Sequence, residues 1–263
     1  MEDIKILVFD IDGTLIPFKA EKPSKRTIKI LNQLAKDYII VCATGRHRFE
    51  IDCIKDINFD AYITSDGKVI KTKDKEYQSF LNKEDVKAIV DYVKRNDLAC
   101  MFNEVDDRYI NKVNDVALKY HELIAFDIPR TRDIEYALNR NIVNVTIFEK
   151  DEVISDLMQY LKASKAIRWN CYGANINDIN AGKDVALLKL CKHYNISPKN
   201  VLCFGDGNND VAMFKCCGHS CAMGNARPKL KDVAEYVSSD IRRSGLVNGL
   251  KYFKIIKEDE NVR

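Results

Sequence analysis

Two aspartates, Asp10 and Asp12, flank Ile11 at the end of the apolar run IKILVF, residues 4–9. Negative charge at the end of a buried strand is costly unless a cation waits there. Carboxylates spaced this way can divide the work of covalent catalysis, one attacking an electrophile while the other moves protons to the leaving group and from water. Farther along stand a hydroxyl and a glycine in Thr44-Gly45, an amine at Lys183, and the string GDGNND with Asp206, Asn209 and Asp210. If these residues meet, three or four carboxylates cannot all ionise without a metal. Hard oxygen ligands of this kind suit Mg²⁺, which takes one or two carboxylates, keeps several waters and accepts a phosphate oxygen. Thr44, the Gly45 backbone N–H and Lys183 at a helix start would then form an anion cradle opposite the ion. In this reading Asp10 attacks phosphorus to give an aspartyl phosphate, and Asp12 is acid and then base. Asp10, the backbone carbonyl of Asp12 and Asp206 hold the metal, joined by Asp210 directly or through water. Arg46 is balanced between substrate oxygens and an acid of the chain's middle segment.

The elements that must position these groups read as strand–helix units. KILVFD, YIIVCATG and NVLCFGDGNND are continuous β-branched and aromatic runs that end in small or acidic residues, and helical patterns follow them near Arg46, in KDVALLKLCKHY and in VAMFKCC. Such runs are expected of parallel strands covered on both faces. The fold class is therefore α/β, a Rossmann-like parallel sheet, and ligands of such sheets gather outside the carboxyl ends of the strands. Asp10, Thr44 and Asp206 each fall at such an end.

The middle of the chain reads differently. Asp66-Gly67 looks like a hairpin turn. Asn82, with Asp85 three residues on, resembles an N-cap for KEDVKAIVDYVKRN. Strand candidates LACMFN, RYIN, NIVNVTIFE, AIRWNCY and ANIND then alternate with helical VNDVALKYH, DIEYALNR and DEVISDLMQYLKAS. None carries the acidic strand-end signatures of the core, D-x-D-G-T or G-D-G-N-N-D. Residues 82–180 are read as an inserted α+β domain, with 1–81 and 181–263 forming the core.

Composition narrows the function classes. Lys and Arg number 42 against 39 Asp and Glu, and the charges are interspersed, so a nucleic-acid footprint is not expected. No stretch approaches the roughly 18 apolar residues of a membrane span, and no signal peptide is evident, so the expected location is the cytoplasm. The nine cysteines lie mostly in apolar segments and suit free thiols better than a disulfide framework. CCGHSC, residues 216–221, lacks paired C-x-x-C spacing, and reads as a helix end stopped at Gly218 followed by a strand. The histidines, His47, His121, His193 and His219, show no ligand spacing, although His47 is close to the rim.

DIDGTL (10–15), ATGR (43–46), Lys183 and GDGNND (205–210) resemble, in order, the four motifs of the haloacid dehalogenase superfamily of phosphohydrolases. AMGNA (222–226) and the insertion between the second and third motifs are similar to the Cof-type subgroup, whose large α/β cap, of the C2B type, closes over the site. The resemblance implies Asp10 as nucleophile and Asp12 as acid/base. It places Thr44 and Lys183, with Gly45, Arg46 and Asn209, around the phosphate, and Asp10, Asp12 and Asp206 on Mg²⁺ with Asp210 in support. Dehalogenases of the superfamily lack the second aspartate, so Asp12 favours phosphate over halide chemistry. SDGK (65–68) stands where the family has SNGA, and RRSGLV (242–247) replaces an acidic tail motif. An ionised Asp66 cannot donate the hydrogen bond that asparagine can.

The expected activity is hydrolysis of phosphate monoesters of small metabolites, with sugar phosphates foremost. A phosphomutase would use the same aspartyl phosphate but release almost no inorganic phosphate. A non-catalytic binding protein would be expected to have lost an aspartate, and none is missing.

Overall fold

The computed structural model describes residues 3–124, 126–168 and 171–257. The chain divides into two compact units, residues 1–78 with 182–263, and residues 79–181. Trp169 and Asn170, part of the strand candidate AIRWNCY, lie outside the described residues.

In the first unit the strands are β1 (Ile6–Phe9), β2 (Ile39–Ala43), β3 (Ala61–Thr64), β4 (Val69–Thr72) and β5 (Glu76–Gln78) before the insertion. After it come β11 (Val201–Gly205), β12 (His219–Ala222) and β13 (Tyr236–Val237). They form one sheet in the order β13-β12-β11-β1-β2-β3-β4-β5. The ladders from β13 to β3 are parallel, and β4 and β5 extend the sheet antiparallel. Alternation along β1 sorts the two cores. Leu7 and Phe9 pack with α1 (Lys25–Leu34) and α8 (Gly245–Tyr252). Ile6 and Val8 pack with α5 (Lys183–Tyr194), α6 (Val211–Cys216) and α7 (Pro228–Lys231). Both faces are covered, which is why these strands read as unbroken apolar runs.

The connections depart from expectation in places. The stretch after β2 makes two short 3₁₀ turns, Arg48–Glu50 and Asp52–Ile54, in place of one helix. His47 precedes the first, with its N–H bonded to Glu50 Oε2 at 2.7 Å. Asp66-Gly67 does turn β3 back into β4, through positive φ at Ser65, Asp66 and Gly67.

In the second unit, β6 (Cys100–Asn103), β7 (Arg108–Ile110), β8 (Asn144–Ile147), β9 (Ser164–Arg168) and β10 (Ala174–Asp178) form a sheet ordered β7-β6-β8-β10-β9. Its helices are α2 (Lys83–Arg95), α3 (Asp115–Ile124) and α4 (Asp151–Met158). Cys100, Phe102, Val145, Ile147, Ala174 and Ile176 share one apolar cluster with residues of α2 and α4. Met101, Ile110 and Phe148 pack with Ala117 and Tyr120 of α3. DIEYALNR forms a 3₁₀ segment, Ile134–Asn139, in place of an α-helix. Asn82 caps α2 through Glu84 N–H. Asp85 does not complete that cap; it accepts from Lys162 N, Ala163 N and Ser164 Oγ at 2.9, 2.9 and 2.6 Å.

All nine cysteines are thiols. α6 ends before Gly218 and β12 follows, as read for CCGHSC. Among the described residues no helix is long and apolar enough to cross a membrane.

Candidate active site

The parallel order β11-β1-β2-β3 brings four strand ends side by side, and each carries a polar residue immediately afterwards: Asp206, Asp10, Thr44 and Ser65. Lys183, the first residue of α5, reaches the same place. Its side chain is fully buried, and the ammonium donates to Asp10 Oδ1 and Asp210 Oδ1, both at 2.7 Å. Asp210 is fully buried, and its second oxygen accepts the backbone N–H groups of Asp206 and Gly207 at 3.1 and 3.0 Å. One carboxylate thus closes the GDGNND loop on itself and ties it to α5.

Asp10, Asp206 and Asp210 each offer a carboxylate oxygen within 4.8 Å of the others. Burial drives the Asp10 carboxyl well above the ordinary aspartate range. Lys183 opposes that rise, and Asp210 and Asp206 reinforce it. Burial and the charge of Asp210 push Asp206 up to about 7. For Lys183, burial acts downward, but Asp10 and Asp210 outweigh it and hold the ammonium above its ordinary value. Three buried carboxylates against one ammonium leave an excess of negative charge that a divalent cation can neutralise. The donor set, all oxygen and all acidic, fits Mg²⁺.

Asp12 has gone elsewhere. Its carboxylate, 44% exposed, takes two bonds from Arg46, Nε to Oδ2 at 2.8 Å and Nη2 to Oδ1 at 2.6 Å. Hydrogen bonding to Asp12 raises the guanidinium above its ordinary value. Arg46 therefore pairs with an acid of its own unit. Its Nη1 also donates to Glu50 O at 3.1 Å. Thr44 is buried; its Oγ1 accepts Arg46 N–H at 3.1 Å, which leaves the hydroxyl proton for another acceptor. Gly45 faces the Asp66 carboxylate, and a Cβ there would lie 3.1 Å from Asp66 Oδ1. Asn209 Nδ2 donates to that same oxygen at 2.9 Å. Gly13 allows a very close approach: its φ is +79°, and a Cβ would fall 2.1 Å from Asp206 Oδ2.

Several supporting residues were missing from the sequence reading. Asn225 Nδ2 donates to Gly13 O at 2.8 Å and to Asp206 Oδ2 at 3.3 Å, while its Oδ1 accepts Ile241 N–H. The signal was the AMGNA string, noted there without a role for its asparagine. His47 Nδ1 and Ser65 Oγ share a buried hydrogen bond of 3.0 Å, and the buried Lys68 ammonium donates to Ser65 O at 2.7 Å. These contacts fix the β3–β4 turn beside Thr44, and Lys68 occupies one of the positions where the chain departs from SNGA.

Comparison with known proteins gives the family. The family described as haloacid dehalogenase-like hydrolase matches residues 7–250. The 5-amino-6-(5-phospho-D-ribitylamino)uracil phosphatase YwtE of Bacillus subtilis (strain 168) is 25% identical, over 95% of this chain and 96% of that protein. Among solved structures, the HAD subclass IIB sugar phosphatase BT4131 superposes with a TM-score of 0.86 at 27% identity, covering 96% of this chain and 100% of that one. BT1666 from Bacteroides thetaiotaomicron, described as one of the phosphatases of that superfamily, gives a TM-score of 0.89 at 26% identity, with 97% and 96% covered.

Proposed function

The chain belongs to the haloacid dehalogenase-like hydrolases and is a phosphatase, and on that premise we propose that it hydrolyses monoesters of small phosphorylated metabolites, sugar phosphates foremost, through a phosphorylated Asp10 with Mg²⁺ as cofactor. The observation that carries this reading is the separation of two neighbouring aspartates. Asp10 sits with Lys183, Asp206 and Asp210, and Asp12 turns to Arg46.

Asp10, Asp206 and Asp210 are the side chains that would hold the ion, which when bound offsets the charge of the phosphoryl oxygens. The steps themselves fall to the chain's own groups. An Asp10 oxygen attacks phosphorus as the ester oxygen leaves, and Asp12 gives that oxygen a proton. Asp12 then takes a proton from water, whose oxygen attacks phosphorus and breaks the bond to Asp10. A carboxylate gripped at both oxygens cannot hand over a proton, so one Arg46–Asp12 bond opens as substrate arrives. Lys183 keeps Asp10 oriented, and the Thr44 hydroxyl and Gly45 N–H receive the phosphate oxygens. Selection among substrates is assigned to the inserted unit.

The test is phosphate release from sugar phosphates, nucleotides and cofactor phosphates, with Mg²⁺ or with a chelator, for the wild type and Asp10→Asn. Release should require Mg²⁺ and fall by at least about a thousandfold in the variant. Turnover indifferent to chelator and substitution would refute the mechanism, and phosphate transfer without release would reassign the chain to the phosphomutases.

A further inference from the structure

RRSGLV (242–247), the tail segment that departs from the family pattern, has no part in the chemistry above. Its two arginines end a short 3₁₀ turn, Ile241–Arg243, that follows β13. The ladders from β13 through β12 and β11 to β1 are all parallel, so this turn emerges at the same rim as Asp10 and Asp206. Asn225 ties it there: the side chain that donates to Gly13 O and Asp206 Oδ2 accepts Ile241 N–H at 3.0 Å. One amide thus separates the backbone of the turn from a carboxylate of the acidic cluster. A third arginine is anchored to the same residue. Arg227, which precedes α7, donates its N–H to Asp206 O at 2.9 Å.

The turn is braced. Asp240 Oδ1 accepts Arg242 N–H at 2.8 Å, and Ser238 Oγ donates to Gly245 O at 2.6 Å. Asn248 Nδ2 donates to Ser239 Oγ, whose own proton goes to Arg243 O. Gly224 N–H reaches Ser239 O, and a Cβ at Gly224 would lie 2.4 Å from Asp240 N. All of these bonds use backbone groups and short side chains, and none uses a guanidinium. Arg227, Arg242 and Arg243 are exposed, and among the described residues none of the three guanidiniums has an ion pair, a hydrogen bond or a ring contact. Like charges carried on two adjoining loops repel one another. An anion between them relieves that repulsion, and the planar fork of a guanidinium matches the paired oxygens of a carboxylate or a phosphate.

We propose that Arg227, Arg242 and Arg243 form a subsite for a second anionic group of the substrate, a carboxylate or a phosphate, while the scissile phosphate lies at Asp10. The substrate class then narrows from small phosphorylated metabolites at large to those that carry a second acid, phosphorylated sugar acids and bisphosphates among them. The subsite rests on the reaction proposed at Asp10, and it adds to the selection assigned to the inserted unit.

The test compares kcat/KM in Mg²⁺ for three open-chain six-carbon substrates: D-glucitol 6-phosphate, which has no second acid, 6-phospho-D-gluconate and D-glucitol 1,6-bisphosphate. At least one of the two doubly acidic substrates should exceed glucitol 6-phosphate by about tenfold or more, chiefly through KM, and the one preferred tells carboxylate from phosphate. Arg242→Gln combined with Arg243→Gln should lower that ratio severalfold, as should raised salt. Should the double variant fail to fold, Arg227→Gln and the wild-type ratio decide. A wild-type ratio near one, or a ratio unchanged in the folded variants, overturns the subsite. If none of the three substrates turns over, it is the reaction at Asp10 that has failed, and calorimetric titration of the same three compounds into Asp10→Asn decides the subsite by the same ratios.

Discussion

Asp206 offers the sharpest quantitative test of the acidic cluster. Its carboxyl has an ordinary value of 3.8 and is raised to about 7 by burial and by Asp210. At 1.36 kcal/mol per pH unit, a rise of that size corresponds to about 4 kcal/mol. The sign follows from which state keeps the proton. Between about pH 4 and pH 7 the metal-free native protein holds it while the unfolded chain has released it, so stability falls as pH rises through that window. Above about pH 7 the whole cost is present in the absence of metal. Mg²⁺ takes the proton's place, so its stabilising effect should grow with pH over the same interval. The assay is urea unfolding of wild type and Asp206→Asn in chelator from about pH 4 to about pH 8, read on the transition that Mg²⁺ shifts, because a chain with two units need not unfold in one step. The difference between the two proteins should change by several kcal/mol across the window, with Asp206→Asn the flatter. Asp206→Asn also removes a charge that helps to raise Asp10, so the Asp10 contribution shrinks in the variant and adds to the difference in the same direction. Parallel pH dependences for wild type and variant would show that Asp206 is not buried against its neighbours as described.

Gly13→Ala combines a positive φ with a 2.1 Å approach to Asp206 Oδ2; it should cost about 2–4 kcal/mol in thermal unfolding and weaken Mg²⁺ binding in titrations. Arg46→Lys keeps a charge but loses the two-point grip on Asp12, so kcat should fall about tenfold or more with an altered pH–rate profile while KM moves little, as stopped assays can measure. Asp85→Ala strands three donors around residues 162–164 and should destabilise the inserted unit by about 3 kcal/mol in denaturant titration, with Mg²⁺ affinity unchanged.

What could be read from the chain divides by the range of the forces involved. Asp10, Thr44 and Asp206 were legible because strands buried on both faces leave continuous apolar runs, and the residue that ends the run marks the rim. Lys183 was legible as a helix start, though its burial between two carboxylates was not. Arg46 illustrates the limit: nothing local tells a guanidinium that Asp12, 34 residues earlier, will outcompete other acids. Asp85 misled for the same reason, since the N-cap pattern around Asn82 is local and the donors it serves lie 77 to 79 residues away. The two 3₁₀ turns after β2 and the 3₁₀ segment at Ile134–Asn139 were read as longer helices because periodicity over so few residues does not separate the two. The placement of Arg242 and Arg243 at the rim depends on the order of the strands, which only the folded sheet reveals.

The order β13-β12-β11-β1-β2-β3-β4-β5 draws every strand from residues 6–78 and 201–237. The excursion between Gln78 and Gly182 lends that sheet no strand, so no ladder hydrogen bond of the sheet beneath the aspartates depends on it. In evolutionary terms the two parts of the gene are free to drift at different rates. The excursion can be lengthened, repacked or exchanged at two junctions while the strand pairing that aligns Asp10, Thr44 and Asp206 stays intact.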